Sequence, residues 1–332
     1  MNVLVTGGAG YIGSHAVQRL RQAGHRVVVL DNLSRGHREA VPADVPFENL
    51  DLRQTEALTN ALTHHRIDCV MHFAALAYVG ESVREPLTYY DNNTAGTVSL
   101  LRAMQQAGVN RIVFSSTCAT YGQPASMPIV ETMPQEPINP YGRSKLMVEH
   151  ILRDTAEANP DLAFAALRYF NVAGCAADGS LGEDHDPETH LIPVLLQVAL
   201  GKRESATIFG DDYDTPDGTC IRDYIHVQDL VDAHILVMEK LDGAAQRQRF
   251  YNLGIGRGYS VKEVVESVRR VTGYPISVQV GERRAGDPPV LYANADKIRR
   301  EIGWQPRFTD LDAIVETAWR WFSAHPEGYA AP

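Results

Sequence analysis

The run Thr6-Gly7-Gly8-Ala9-Gly10-Tyr11-Ile12-Gly13-Ser14-His15 follows the apolar stretch Val3-Leu4-Val5 directly, and it constrains the fold more than any other feature of the chain. Gly7, Gly10 and Gly13 recur at every third position. Glycines so placed permit a tight turn, let the backbone approach a pyrophosphate and bring the next helix close to a sheet. A helix starting there also offers free N–H groups to phosphate oxygens. Glycine spacing alone is weak, but a strand before it and a helix after it raise its weight. Asp31 supplies a second test. It closes the apolar run Val27-Val28-Val29-Leu30, about 20 residues past the glycines, where a carboxylate can accept hydrogen bonds from an adenosine ribose. The same charge would repel a 2′-phosphate, so NAD is expected rather than NADP.

Short apolar runs at Val3–Thr6, Val27–Asp31, Cys69–Phe73, Arg111–Ser116 and Ala163–Arg168 alternate with helical patterns at Ser14–Ala23, Arg53–His64, Pro86–Ala107 and Tyr141–Ala156. Such alternation predicts an α/β fold, a Rossmann-type doubly wound parallel sheet with helices on both faces. Past residue 170 the texture changes. Gly174–Thr189 reads as a loop, Pro193–Leu200 as a helix and Gly210–Gly218 as a polar turn, with further helices at Val261–Thr272 and Leu311–Ala324. The chain, 332 residues long, suits one large or two intimate domains. We expect a dinucleotide-binding domain over 1–172, to which the chain returns around 221–255. Segments 173–220 and 256–332 would form a smaller α/β substrate-binding domain.

Tyr141-Gly142-Arg143-Ser144-Lys145 carries the chemistry. Asn139 suits an N-cap and Pro140 the first helical position, so Tyr141 and Lys145 fall one turn apart on one helix face. A phenol titrates near 10 and is a poor base at neutral pH; a neighbouring ammonium favours its phenolate. Beside a nicotinamide, such a tyrosine can move the proton of an alcohol.

Taken together, these motifs resemble the extended short-chain dehydrogenase/reductase family, and within it the enzymes that epimerise nucleotide sugars. The resemblance rests on Thr6–His15, Asp31–Gly36, Asp51-Leu52, His72–Ala75, Gly80-Glu81-Ser82, Tyr90–Asn93, Phe114–Thr117, Tyr141–Lys145, Arg168–Asn171, Arg222–Val227 and Gly286-Asp287. It implies that Tyr141 is the acid/base, that Lys145 binds the nicotinamide ribose and lowers the tyrosine, and that the Thr117 hydroxyl bridges tyrosine and sugar O4. It further implies cofactor contacts from Tyr11, Ile12, Asn32, Asp51, Leu52, Phe73, Ala74, Ala75, Asn92 and Phe170. A UDP-hexose would be anchored by Asn171, Leu191, Phe209, Arg222, Arg284 and Asp287; a guanidinium fork suits diphosphate oxygens. The reaction implied is inversion at the hexose C4 through a 4-keto sugar, in a homodimer formed by the helices near Pro86–Ala107 and Tyr141–Ala156. Sister sugar-nucleotide epimerases and decarboxylases share the pattern. A dehydratase needs an Asp-Glu pair after the threonine, where this chain has Cys118-Ala119. Two departures stand out: Ala77 replaces a lysine near the cofactor phosphates, and His190 replaces an asparagine beside the substrate.

A formal net charge of −10 argues against general nucleic-acid binding, which wants a basic face. Cys69, Cys118, Cys175 and Cys220 are scattered, so neither a disulfide framework nor a zinc site is expected. No apolar stretch suits a membrane span or signal peptide, and we expect a cytoplasmic enzyme. Gly182–His190 is dense in Asp, Glu and His but lacks a familiar metal spacing. It reads as a solvated loop, and no metal is expected.

Overall fold

The computed structural model describes residues 1–241, 247–284 and 287–329. Seven parallel strands form the main sheet, in the order Gln248–Leu253, Ala163–Tyr169, Arg111–Thr117, Cys69–His72, Asn2–Thr6, Arg26–Leu30 and Phe47–Glu48. The order reverses between Asn2–Thr6 and Cys69–His72, so a crevice opens at their carboxyl ends.

Side-chain alternation explains the two covering layers. Val3, Val5, Val27, Val29, Met71 and Val113 pack against Ala16, Val17 and Leu20 of helix Tyr11–Gln22 and Leu230 and Val231 of helix Val227–Glu239. Leu4, Val28, Val70, Ile112 and Phe114 pack on the other face against Leu58, Leu100, Met104, Val148 and Leu152. Because both faces are covered, the inner strands read as continuous apolar runs.

A third core gathers helices Leu191–Ala199, Val261–Thr272 and Leu311–Ala324 around Leu195, Val264, Val268, Ile314 and Trp321. The last helix also grips the loop that leaves the main sheet. Thr317 Oγ1 accepts from the Cys175 amide at 3.1 Å and lies 3.0 Å from His226 Nε2. The Trp321 indole covers Gly182, where an added Cβ would come within 2.1 Å of the ring.

The predicted helix Pro86–Ala107 is broken. Pro86–Tyr89 is followed by a π-helical turn, Tyr90–Ala95, before α-helix resumes at Gly96–Ala107. The cause is Asn93, whose amide accepts from Leu76 N (2.8 Å) and donates to Leu76 O (3.0 Å) and Ser144 Oγ (3.1 Å). A side chain that recruits a neighbouring loop in this way competes with the regular helix. Tyr224–His226 pairs with Asn171–Ala173 in a separate two-stranded sheet, and Gln248–Leu253 makes the edge strand.

Helix Pro140–Ala158 starts as predicted, with Asn139 Oδ1 accepting from the Gly142 amide at 2.8 Å and Pro140 in the first turn. A buried ion pair then fixes it to the sheet. Glu149 accepts from Arg168 Nη2 at 2.6 Å and Nε at 2.9 Å and from Ser116 Oγ at 2.6 Å. Both partners are essentially inaccessible. Removing one partner of such a pair leaves a buried charge, so Glu149→Ala is expected to cost about 3–5 kcal/mol of stability. Urea denaturation would measure it; a loss below about 1 kcal/mol would contradict this role.

Candidate active site

A cleft of about 330 Å³ lies over the carboxyl ends of the strands. Gly7, Gly10, Tyr11, Ile12, Gly13, Asp31, Asn32, Asp51, Leu52, Phe73, Ala74, Ala75, Asn92, Thr117, Tyr141, Lys145, Phe170, Asn171 and Leu191 all line it. Residues far apart in the sequence thus share one space.

At the nucleotide end the glycines are there for close approach. A Cβ at Gly7, which has φ +69°, would lie 2.6 Å from the Ala74 amide nitrogen, and one at Gly13 would lie 2.0 Å from Gly7 O. Helix Tyr11–Gln22 has no side-chain cap at Gly10, so its first N–H groups are available to an anion. Asp31 Oδ2 accepts from the Ala9 amide at 3.0 Å and Oδ1 from the Leu33 amide at 2.8 Å. These bonds lock the acid to the glycine turn and leave lone pairs for a ribose. Asn32 donates to Asp51 at 2.9 Å, and the hydrogen bond from Arg53 holds the Asp51 carboxyl well below its usual range. A glycine cradle, an uncapped helix start and a ribose-facing acid together fit a dinucleotide with a free 2′-hydroxyl.

One cation reaches across the cleft's rim. Arg35, itself a lining residue, donates to Glu81 Oε1 at 2.7 Å and to Asp186 O at 3.1 Å and sits 5.2 Å from the Tyr78 ring centroid. At the position of the absent lysine, Ala77 lines the cleft without charge.

The electrostatics of the catalytic pair differ from the expected arrangement. Burial pushes the Tyr141 phenol well above its ordinary value; the nearby Tyr169 adds to this and the Thr117 hydroxyl opposes it. Burial alone draws Lys145 down to about 7. Its ammonium donates to Ser115 O at 2.9 Å and lies 4.9 Å from the Phe114 ring centroid. Lys145 is not among the main influences on the phenol here: burial is the largest, and the Thr117 hydroxyl is the one among them that favours the phenolate. Tyr169, unremarked in the sequence, hydrogen-bonds Ser115 and lines the same wall.

The expected substrate anchors divide into two groups. Thr117, Tyr141, Asn171 and Leu191 line the cleft. Phe209, Arg222, Arg284 and Asp287 do not line it; they gather beside it. Arg222 pairs with Asp287, and the Arg284 guanidinium stacks 3.9 Å from the Phe209 ring centroid. The charge of Arg222 still reaches Cys118 and Tyr224, which do line the cleft. Gly286 lies outside the described residues.

Gly182–His190 is solvated only in part: Asp186, Pro187, Thr189 and His190 are exposed, but two of its carboxylates are not. Glu183 is 2% and Glu188 7% exposed, while His185 and His190 line the cleft. Burial acts to raise the Glu183 carboxyl, but His190 and His185 overcome it and hold it at about 2. Charge density in the sequence gave no sign that two histidines would carry two carboxylates inside.

The parallel sheet, its crevice and the Tyr141–Lys145 helix define a nucleotide-dependent α/β enzyme. Residues 3–254 match the NAD dependent epimerase/dehydratase family, and the chain belongs to that family. It is 52% identical to the UDP-glucose 4-epimerase of Lacticaseibacillus casei, over 99% of each chain. A crystal structure of UDP-glucose 4-epimerase from Brucella ovis in complex with NAD is 49% identical, covers 96% of this chain and 98% of its own, and superimposes with a TM-score of 0.93. The Bifidobacterium longum enzyme in complex with NAD+ and UDP is 39% identical over 99% of this chain and 100% of its own, with a TM-score of 0.94.

Burial at Lys145 has a stability cost with a definite sign. Its folded value, about 7, lies below the ordinary 10.5. The cost is therefore full below about pH 7 and fades as pH rises towards 10.5. Lys145→Met is expected to raise the thermal midpoint more at pH 6 than at pH 9, whatever it does to catalysis. Melting curves at the two pH values decide, and a gain that is equal or larger at pH 9 would refute the assignment.

Proposed function

We propose that this chain interconverts UDP-glucose and UDP-galactose by inversion at C4, with NAD retained through the cycle. The observation that carries the reading is the single cleft that joins Tyr141, Thr117 and Lys145 to the glycine turn and Asp31. Gly7, Gly10, Tyr11, Ile12, Gly13, Asp31, Asn32, Asp51, Leu52, Phe73, Ala74, Ala75, Asn92, Lys145 and Phe170 would hold the dinucleotide. When bound, NAD supplies a reversible hydride acceptor, and its positive ring favours a phenolate nearby.

The chain's own residues supply proton transfer and binding. Tyr141 takes the proton from the sugar O4 and returns it, with the Thr117 hydroxyl in hydrogen-bonding reach to pass it on. Burial raises the phenol and makes its phenolate a strong base towards the sugar hydroxyl; beside the positive ring of bound NAD that rise would be opposed and the proton's return eased. Inversion requires a ring that can present either face. Binding is therefore best placed on the remote UDP, where Asn171, Leu191, Phe209, Arg222, Arg284 and Asp287 would act. For Arg222 and Asp287 this means loosening their mutual ion pair so that the guanidinium can turn to the diphosphate. The division of labour would follow the chain in the main: 1–172 with 221–255 carries the dinucleotide and lends Asn171 and Arg222 to the sugar nucleotide, which 173–220 with 256–332 otherwise carries.

Tyr141→Phe should lower turnover of UDP-galactose by about 10²–10⁴-fold while the purified protein still carries NAD. Coupled assay and cofactor absorbance read the two effects separately. Full activity in the variant would sink the mechanism, and failure of the wild type to turn over UDP-galactose would sink the function.

We also infer a homodimer. Large apolar side chains stand exposed along helices Val79–Arg84, Pro86–Tyr89 and Pro140–Ala158: Val83 at 61%, Leu87 at 80% and Met147 at 44%. Such a patch on a water-exposed face favours burial against a copy of itself. Sedimentation should give a dimer for the wild type and a monomer for Leu87→Glu; a monomeric wild type would exclude it. Four free cysteines, three of them buried, are in keeping with a cytoplasmic enzyme.

A further inference from the structure

We propose that Glu183, His185, Glu188 and His190 form a binding site for one divalent transition-metal ion, of which Zn²⁺ is the best fit. One donor atom from each residue lies within 4.8 Å of all the others. His185 Nδ1 is 3.1 Å from Glu183 Oε1 and 3.8 Å from Glu188 Oε2. His190 Nδ1 contacts Glu183 directly and is 4.0 Å from Glu188 Oε1. Donors each about 2.1 Å from a tetrahedral zinc stand roughly 3.4 Å apart. Side-chain movements of about 1 Å would therefore bring the four donors to that spacing.

Three features separate this cluster from a chance gathering of surface charges. Glu183 and Glu188 are both buried, and among the described residues neither carboxylate has a lysine or arginine within 4 Å. Two buried carboxylates with only histidines as charged partners are a costly arrangement that a dication would neutralise. Further, His185 Nδ1 is buried and has no hydrogen-bond partner of acceptable geometry. An imidazole nitrogen so placed among carboxylate oxygens can serve as a ligand atom.

The supporting shell is also in place. Glu188 Oε1 accepts from the amides of Thr189 at 2.7 Å and His190 at 2.8 Å, which fixes the carboxylate's direction. The His185 ring is held edge-on by Tyr11, Tyr78 and His190, with centroids 6.1, 5.9 and 5.3 Å away. The start of helix Leu191–Ala199 lies beside the cluster and disfavours a cation. Its half-charge is small against two full carboxylate charges. Two imidazoles with two carboxylates suit zinc better than the hard cations, which prefer an all-oxygen shell. The ion would tie the loop to that helix, a structural role at the edge of the cleft. Nothing in this inference depends on the epimerase reading.

The test uses full-length protein stripped of metal and titrated with Co²⁺, then competed with Zn²⁺. Expected are one equivalent bound, the visible absorption of four-coordinate Co²⁺, and a thermal midpoint raised by Zn²⁺. The near-isosteric His185→Asn and Glu188→Gln variants, checked for folding by circular dichroism, should each bind at least about tenfold more weakly. Nitrogen NMR of the wild-type histidines with Zn²⁺ should show Nδ1 coordination at His185 and His190, a readout that needs no variant. Absence of the Co²⁺ band, affinity unchanged in both variants, or histidine signals unmoved by Zn²⁺ would overturn the site.

Discussion

The Glu149–Arg168 pair is the contact on which the active geometry depends. Arg168 comes from a central strand and Glu149 from the helix that carries Tyr141 and Lys145, so one buried interaction sets the distance between sheet and catalytic helix. Ser116 joins the same carboxylate from the neighbouring strand, one residue before Thr117. Apolar packing by Val148 and Leu152 would hold the helix to the sheet, but apolar contacts tolerate sliding. Directional, charge-assisted hydrogen bonds to a rigid guanidinium do not.

Burial is the second organising influence. It raises Tyr141, lowers Lys145 and hides Glu183 and Glu188. Each shift disfavours the charged form. The site thus stores its reactivity as desolvation: a phenol that holds its proton and an amine poised near neutrality. Ligands that bring charge of the opposite sign gain most from entering such a space, because attraction is stronger where water is excluded. The same property makes the cleft costly to maintain, as catalytic sites tend to be.

What the sequence revealed and what it hid follow from how far each feature depends on distant residues. Val3–Thr6, the glycine run and Asp31 were legible because a strand, turn and helix are local and the sheet is covered on both faces. The N-cap Asn139 and Pro140 marked their helix for the same reason. Phe47–Glu48 has only two residues and carries no period of its own. The edge strand Gln248–Leu253 reads as polar because half of it is not fully buried. The break at Tyr90–Ala95 depends on a loop reached by Asn93, and the pairing of Arg222 with Asp287 joins segments 65 residues apart. In the loop Gly182–His190, polarity suggested solvent, whereas the tertiary fold turned the carboxylates inward.

The grip of the final helix on the earlier loop has a consequence for the order in which the molecule is made. The strands and helices of the nucleotide-binding layers run through to Leu253. The loop after Ala173 rests on Thr317 and Trp321, and Thr317 follows Cys175 by 142 residues. Until the C-terminal helix docks, the wall bearing His185 and His190 lacks these two contacts and keeps those from Arg35 and His37. The two walls of the cleft thus draw on segments far apart in the chain, and the complete site exists only when both are in place.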